Sequence, residues 1–257
     1  MSVPSLGDLS QSYTMRQRNV NLRQEIGRLT TELATGQVAQ VRDVLNGNYS
    51  YLTDLTRRLD LLQGYGIATT EAGLYTAAMQ GALGLIEDSA RDLSGSLMLA
   101  GTSAIGTSGS DTVAEARNAF DSMIGAINTQ SAGRYLFSGV ATDQRPLPDA
   151  QTVLDALRTA TAGATNPDDL LLAAQTWFDD PAGFGASLYQ GAADGLAPFG
   201  LSQTDQVALD IRATDPKFRE VLRLTAVAAL ADDPSFGFDI NQQSELYSES
   251  ARTRNLM

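Results

Sequence analysis

Leu22, Ile26, Leu29 and Leu33 recur at steps of four, three and four residues, with Arg23, Glu25, Arg28 and Glu32 on their shoulders. This is a heptad seam between charged flanks, and it predicts a first long helix over residues 8–35. Followed backwards, the seam meets Met15 and then Asn19 and Ser12, so it thins toward the N-terminus. Gly36 suits the helix C-cap, and Asn46-Gly47-Asn48 is a turn signal before the next element. From Tyr49 to about Leu99 the pattern predicts one very long helix. Leu52, Leu55, Leu59 and Leu62 keep a 3-4-3 spacing and can fold back to cover part of the first seam; Leu74, Leu83, Ile86, Leu93 and Leu97 continue an apolar face less regularly. Gly64, Gly66, Gly73, Gly81, Gly84 and Gly95 interrupt it, each at a cost of about 1 kcal/mol against Ala. Close approach of other helices to these small residues is expected to supply the missing stability.

The run from Gly101 to Ser110 is loop by composition, and Ser110 or Asp111 caps a third helix to about Gln130, with Val113, Ala116, Phe120, Met123, Ile124 and Ile127 on its apolar face. The period then changes. In Gly133-Arg-Tyr-Leu-Phe-Ser-Gly139 the aromatics Tyr135 and Phe137 alternate between two glycines, which predicts a short strand with both rings on one face. Beyond it, residues 150–161 and 167–178 read as short helices, the second opened by Asn166-Pro167 and ended by Trp177 and Phe178, the expected core anchors of a head. Residues 196–199 and 206–211 read as short strands, the latter with Val207, Leu209 and Ile211 on one side. Residues 216–231 form a strongly apolar helix stopped by Asp232-Asp233-Pro234, and residues 240–254 a last helix whose only large apolar residues are Leu246 and Tyr247. The fold class is therefore mainly α: a long helical rod, coiled-coil-like, with a small α+β head. Its expected parts are an N-terminal coiled-coil helix (1–42), a helical rod ending in a short strand (43–140), an acidic head (141–215) and a return to the rod (216–257).

Charge sharpens this division. The net charge is −12, yet residues 1–42 hold five Arg against three acids while residues 141–215 hold three Arg against eleven Asp. An acidic head argues against nucleic acid or an anionic membrane as partner, since both attract basic surfaces. With no Cys and no His, thiol chemistry, disulfides and the commonest general base and metal ligand are missing. Ser103 lacks the glycine spacing of a nucleophile elbow, Gly183-Phe-Gly185 lacks the third glycine of a dinucleotide cradle, and Lys217 is the sole lysine. The pairs Asp168-Asp169, Asp179-Asp180 and Asp232-Asp233 read as helix starts and turns rather than a cation site. No catalytic residue, cofactor or metal is expected. The opening Met1-Ser-Val-Pro-Ser-Leu-Gly-Asp8 shows no secretory signal pattern and no stretch has the apolar length of a membrane span, so composition alone points to the cytosol.

Asn128, the run from Gly133 to Gly139, Thr142-Asp143 and Pro146-Leu-Pro148 together resemble the motif that closes the helical rod in flagellin-type axial proteins. They are most similar to the flagellin-like hook-associated proteins at the hook–filament junction. A second similarity runs from Tyr189-Gln-Gly191 through Asp215-Pro-Lys-Phe-Arg219 to Leu230, and a third lies at Glu32-Leu-Ala-Thr-Gly36, so the resemblance covers residues from about 5 to 250. It implies a non-enzymatic component of the bacterial flagellum, located outside the cell and exported through the flagellum's own channel without a cleaved signal. The implied partners are a neighbouring hook-associated protein, flagellin, copies of the chain itself and an export chaperone. Leu22, Ile26, Leu29 and Leu33, with Leu52, Leu55, Leu59 and Leu62, would pack the rod; Gly133, Tyr135, Phe137 and Gly139 would shape its transition to the head. Flagellin itself is the neighbouring reading, which the small head and Asp-rich segment disfavour; a cytosolic helical adaptor or chaperone-like module is the reading from another class. Family members close with two helical stretches that return along the rod, and this sequence stops about where they begin. Residues 1–20 are accordingly expected to fray in the isolated chain, which is expected not to polymerise.

Overall fold

A computed structural model describes residues 6–38, 49–102 and 109–252. The first helix, α1, spans Leu6–Thr35 and stops at Gly36, whose φ of +65° is the left-handed cap conformation that glycine adopts without steric cost. The turn expected at Asn46-Gly47-Asn48 lies outside the described residues. The second helix, α2, spans Ser50–Thr102 without interruption. The chain divides into two compact units, Met1–Leu62 and Gln63–Met257. The sequence-based boundaries near residues 42, 140 and 215 do not coincide with that division.

In the first unit, α1 is exposed along nearly its whole length. Arg28 pairs with Glu25 and, at 3.1 Å, with Glu32, and Arg58 pairs with Asp54 at 2.9 Å. These are surface pairs within one helix, each contributing only a few tenths of a kcal/mol.

The second unit continues α2 and adds α3 (Gly109–Ile127), a hairpin of β1 (Gln130–Ser131) and β2 (Arg134–Tyr135), α4 (Ala150–Ala160), α5 (Pro167–Asp179), α6 (Phe184–Ser187), a second hairpin of β3 (Phe199–Gly200) and β4 (Gln206–Val207), α7 (Pro216–Ala229) and α8 (Ile240–Ser250). Caps explain several of these limits. Asp149 accepts from Thr152 N at 2.9 Å at the start of α4, and Asn166 Oδ1 accepts from Asp169 N at 2.9 Å ahead of Pro167 at the start of α5. Asp239 and Gln242 close a reciprocal capping box on α8.

One core runs through this unit. The buried side of α2 (Tyr75, Met79, Ala82, Ile86, Ala90, Leu93, Leu97) joins Phe120, Met123 and Ile127 of α3, Val153 and Leu157 of α4, and Leu170 and Phe178 of α5. The centre is α7, packed against α3, α5 and α8 and buried from Phe218 through most of its length. Leu246 and Tyr247, the large apolar residues of α8, are both buried. Ser94 Oγ donates to Ala251 O at 2.6 Å and Ser244 Oγ to Gly101 O at 2.8 Å, fastening α8 to the end of α2.

The β structure is scantier than the sequence pattern predicts. Residues 133–139 do not form a strand: only Arg134 and Tyr135 pair, with Ser131 and Gln130. Leu136 and Phe137 are both buried although adjacent, which strict alternation forbids. The strands expected at 196–199 and 206–211 shrink to two residues each, although Val207, Leu209 and Ile211 do alternate with exposed neighbours.

Candidate interaction surface

Residues 128–147 form a densely hydrogen-bonded, largely non-helical segment. Ala132 and Gly133, with φ of 50° and 77°, make the tight turn of the first hairpin. Tyr135 N then donates to Thr142 O at 2.8 Å and Leu136 N to Thr129 O at 3.2 Å. Tyr75 of α2 donates its hydroxyl to Leu136 O at 3.1 Å, and its pKa is raised by burial, partly offset by the Arg134 guanidinium 5.8 Å from its ring centre. Arg134 also pairs with Glu71 at 2.8 Å. Phe137 is wholly buried against Phe218 of α7, and its carbonyl accepts from Ala213 N at 3.1 Å.

The next residues tie this turn to the chain some fifty positions on. Ala192 N donates to Ser138 O at 2.9 Å and Val140 N to Asp194 O at 3.0 Å. Gly139 has φ of 62°, and a Cβ there would stand 2.3 Å from Asp194 O and 2.8 Å from Ala192 O, so only glycine fits. Tyr189 donates to Ala192 O at 3.1 Å, and burial pushes its pKa up to about 12. Asn128 Oδ1 accepts from Leu147 N at 3.1 Å. The scattered motif residues of the sequence, Asn128, Tyr135, Phe137, Gly139, Thr142, Tyr189 and Phe218, thus belong to one packed junction. Tyr135 is half-buried and a Cβ on Gly133 would meet nothing within 4 Å; their part is in the turn itself.

Leu22, Ile26, Leu29 and Leu33 are all exposed, Leu33 at 88%, and so are Leu52, Leu55, Leu59 and Leu62. Both runs keep the spacing of a seam, and both stand open.

Six of the seven glycines of α2 overturn the expectation attached to them; the seventh, Gly101, is approached by Ser248 of α8. A Cβ on Gly64, Gly66, Gly73, Gly81, Gly84 or Gly95 would meet no atom within 4 Å, so no helix among the described residues approaches them. Four of them form a line. Gly66, Gly73, Gly84 and Gly95 are separated by 7, 11 and 11 residues, and each such step returns to within about 20° of the same line on an α-helix. The helical angle of 100° per residue puts this line on the side of α2 opposite Tyr75, Ile86 and Leu93. Ile67, Leu74 and Leu85, each more than half exposed, lie about 80–100° round the helix from it, between the glycine line and the core side. Residue size was legible in the sequence; which side faced the core was legible only from the apolar positions between the glycines.

No group of three or more Asp, Glu, His or Cys side chains among the described residues can hold a metal ion. Asp169 closes the first turn of α5, Asp179 pairs with Arg219 at 3.0 Å, and Asp232 pairs with Arg117 at 2.6 Å. Ser103 lies outside the described residues. No protein-family model, curated protein or solved structure matches the chain.

Proposed function

We propose that this chain is a structural subunit of the bacterial flagellum, a hook-associated protein that joins hook to filament by helix packing and acts outside the cell. Its partners on this reading are copies of itself, a neighbouring hook-associated protein and flagellin, with an export chaperone before assembly. The observation that carries the reading is the open side of α2. Four aligned glycines lie there with no covering element among the described residues, and Ile67, Leu74 and Leu85 are exposed on the flank between that side and the core. Glycine inside a helix costs stability, and exposed apolar side chains gain nothing from the hydrophobic effect until a neighbour covers them. Such a surface suits a protein whose working state is packed among other helices. The motif from Asn128 to Pro148 supports the flagellar junction as the particular assembly.

The test is made in the cell. Sheared and purified flagella should contain the protein at hook and filament base; its confinement to the cytosol would overturn the proposal. Placing Gly73→Leu and Gly84→Leu in the chromosomal gene should leave export intact but release filaments into the medium. Filaments as firmly attached as in the parent would remove the packing role of this side.

A further inference from the structure

A second surface lies on α5, away from the helix packing just described. Asp169, Leu172, Ala173, Thr176, Trp177 and Asp180 follow at steps of 3, 1, 3, 1 and 3 residues, a single helical side. With Ala160, Gly163 and Ala164 at the end of α4 they line an open groove of about 480 Å³. The groove is built rigidly. Trp177 stands edge-on to Phe178 and Phe184, at 5.0 and 5.8 Å between ring centres. Gly183 folds against it so closely that a Cβ would come within 2.0 Å of the Trp177 carbonyl oxygen.

Both carboxylates are held in place. Asp169 Oδ2 accepts from Thr165 N, Thr165 Oγ1 and Asn166 Nδ2, and Asp180 Oδ1 accepts from Ala182 N. The other oxygen of each has no hydrogen-bond partner among the described residues. No Lys or Arg lines the groove. Its two acidic ends are 11 residues apart along the helix, about 16 Å at 1.5 Å per residue, and the stretch between them is Leu172, Ala173, Thr176 and Trp177.

We propose that this groove docks a basic peptide segment of a partner protein, extended, with two Lys or Arg residues four positions apart and aliphatic residues between them. Charge complementarity selects the occupant: the ends accept charge-assisted hydrogen bonds from two cationic heads, and Trp177 is the aromatic side chain best suited to a cation beside it. One small cation cannot reach both ends. Four extended residues cover about 13 Å, their alternate side chains point the same way, and the long stems of Lys or Arg span the remainder while lying on Leu172 and the alanines.

Trp177 is the only tryptophan, so fluorescence excited at the red edge, where the eight tyrosines do not absorb, reports on this groove. Titration with acetyl-RLALR-amide is expected to give a saturable change that weakens with salt, and acetyl-QLALQ-amide none. Asp180→Asn and Leu172→Gln alter exposed side chains, and each is expected to weaken binding at least 10-fold with an unchanged circular dichroism spectrum. Equal responses to the two peptides, affinity unmoved by both substitutions, or saturation with cellotetraose but not with acetyl-RLALR-amide would each overturn the assignment.

Discussion

The ring of Phe137 meets that of Phe218 edge-on, with centroids 5.4 Å apart and planes at 76°. The two residues are 81 positions apart in sequence, and their contact joins the turn after the first hairpin to the first turns of α7. Phe137 is fully buried, so Phe137→Ala removes an aromatic ring from a closed core. The expected loss is roughly 3–5 kcal/mol, read from the urea midpoint. A double-mutant cycle with Phe218→Ala should return a coupling of about 0.5–1.5 kcal/mol. An unchanged midpoint would show that the ring is not buried in solution.

Gly133 and Gly139 bracket the same motif but do different things. Both have positive φ; Gly133 faces open space, whereas Gly139 faces the carbonyls of Asp194 and Ala192. Gly133→Ala should cost only the left-handed backbone penalty, about 1–2 kcal/mol. Gly139→Ala adds a collision with fixed backbone and should be clearly worse, and it should also loosen the 189–194 segment. Amide exchange at Val140 and Ala192, whose donors bond across this contact, reports it. Equal costs at the two glycines would contradict the close approach.

The helices were largely legible in the sequence, and the reasons are local. Gly36 ended α1, Asn166-Pro167 opened α5, and the apolar period carried α2 through the six glycines from Gly64 to Gly95 without a break. The junction was legible only as a motif. The Leu136 backbone is held by a tyrosine hydroxyl from α2 at its carbonyl and by the Thr129 carbonyl at its N–H, and no periodicity of nearest neighbours records either. The first hairpin was hidden because its turn places Ala132, not Asn or Gly, at the first positive-φ position. Trp177 was expected in the core beside Phe178; it is half-buried, one edge against the core and the rest lining a groove.

Arg158 and Asp233 tie the end of α4 to the turn after α7, Nε to Oδ2 at 2.6 Å. Burial alone would raise the Asp233 pKa; the hydrogen bonds from Ser235 and from Arg158 outweigh it and hold the carboxyl below its ordinary value. A folded-state pKa below the unfolded one means that this contribution is present above the unfolded value, about 3.9, and is lost as pH falls through the folded value. The stability of the parent chain should therefore drop below about pH 4. Asp233→Asn should cost about 1.5–3 kcal/mol at pH 7 and flatten that acid limb. Parallel pH profiles for parent and variant, measured by urea unfolding from pH 3 to 7, would rule out the linkage.

The open side of α2 makes a prediction of the opposite sign. Gly73 and Gly84 lie inside a helix, and a methyl group added to either meets nothing within 4 Å. Gly73→Ala and Gly84→Ala should therefore each raise the stability of the isolated chain, by up to about 1 kcal/mol, through helix propensity and a less disordered unfolded state. The same methyl groups would intrude wherever a neighbouring helix approaches the backbone in an assembly. The pair should thus raise the urea midpoint of the purified protein while weakening its incorporation into flagella, a divergence that a purely structural glycine cannot produce. If the purified variants are less stable than the parent, the glycines are covered within the chain itself, and the packing argument for this side of the helix falls.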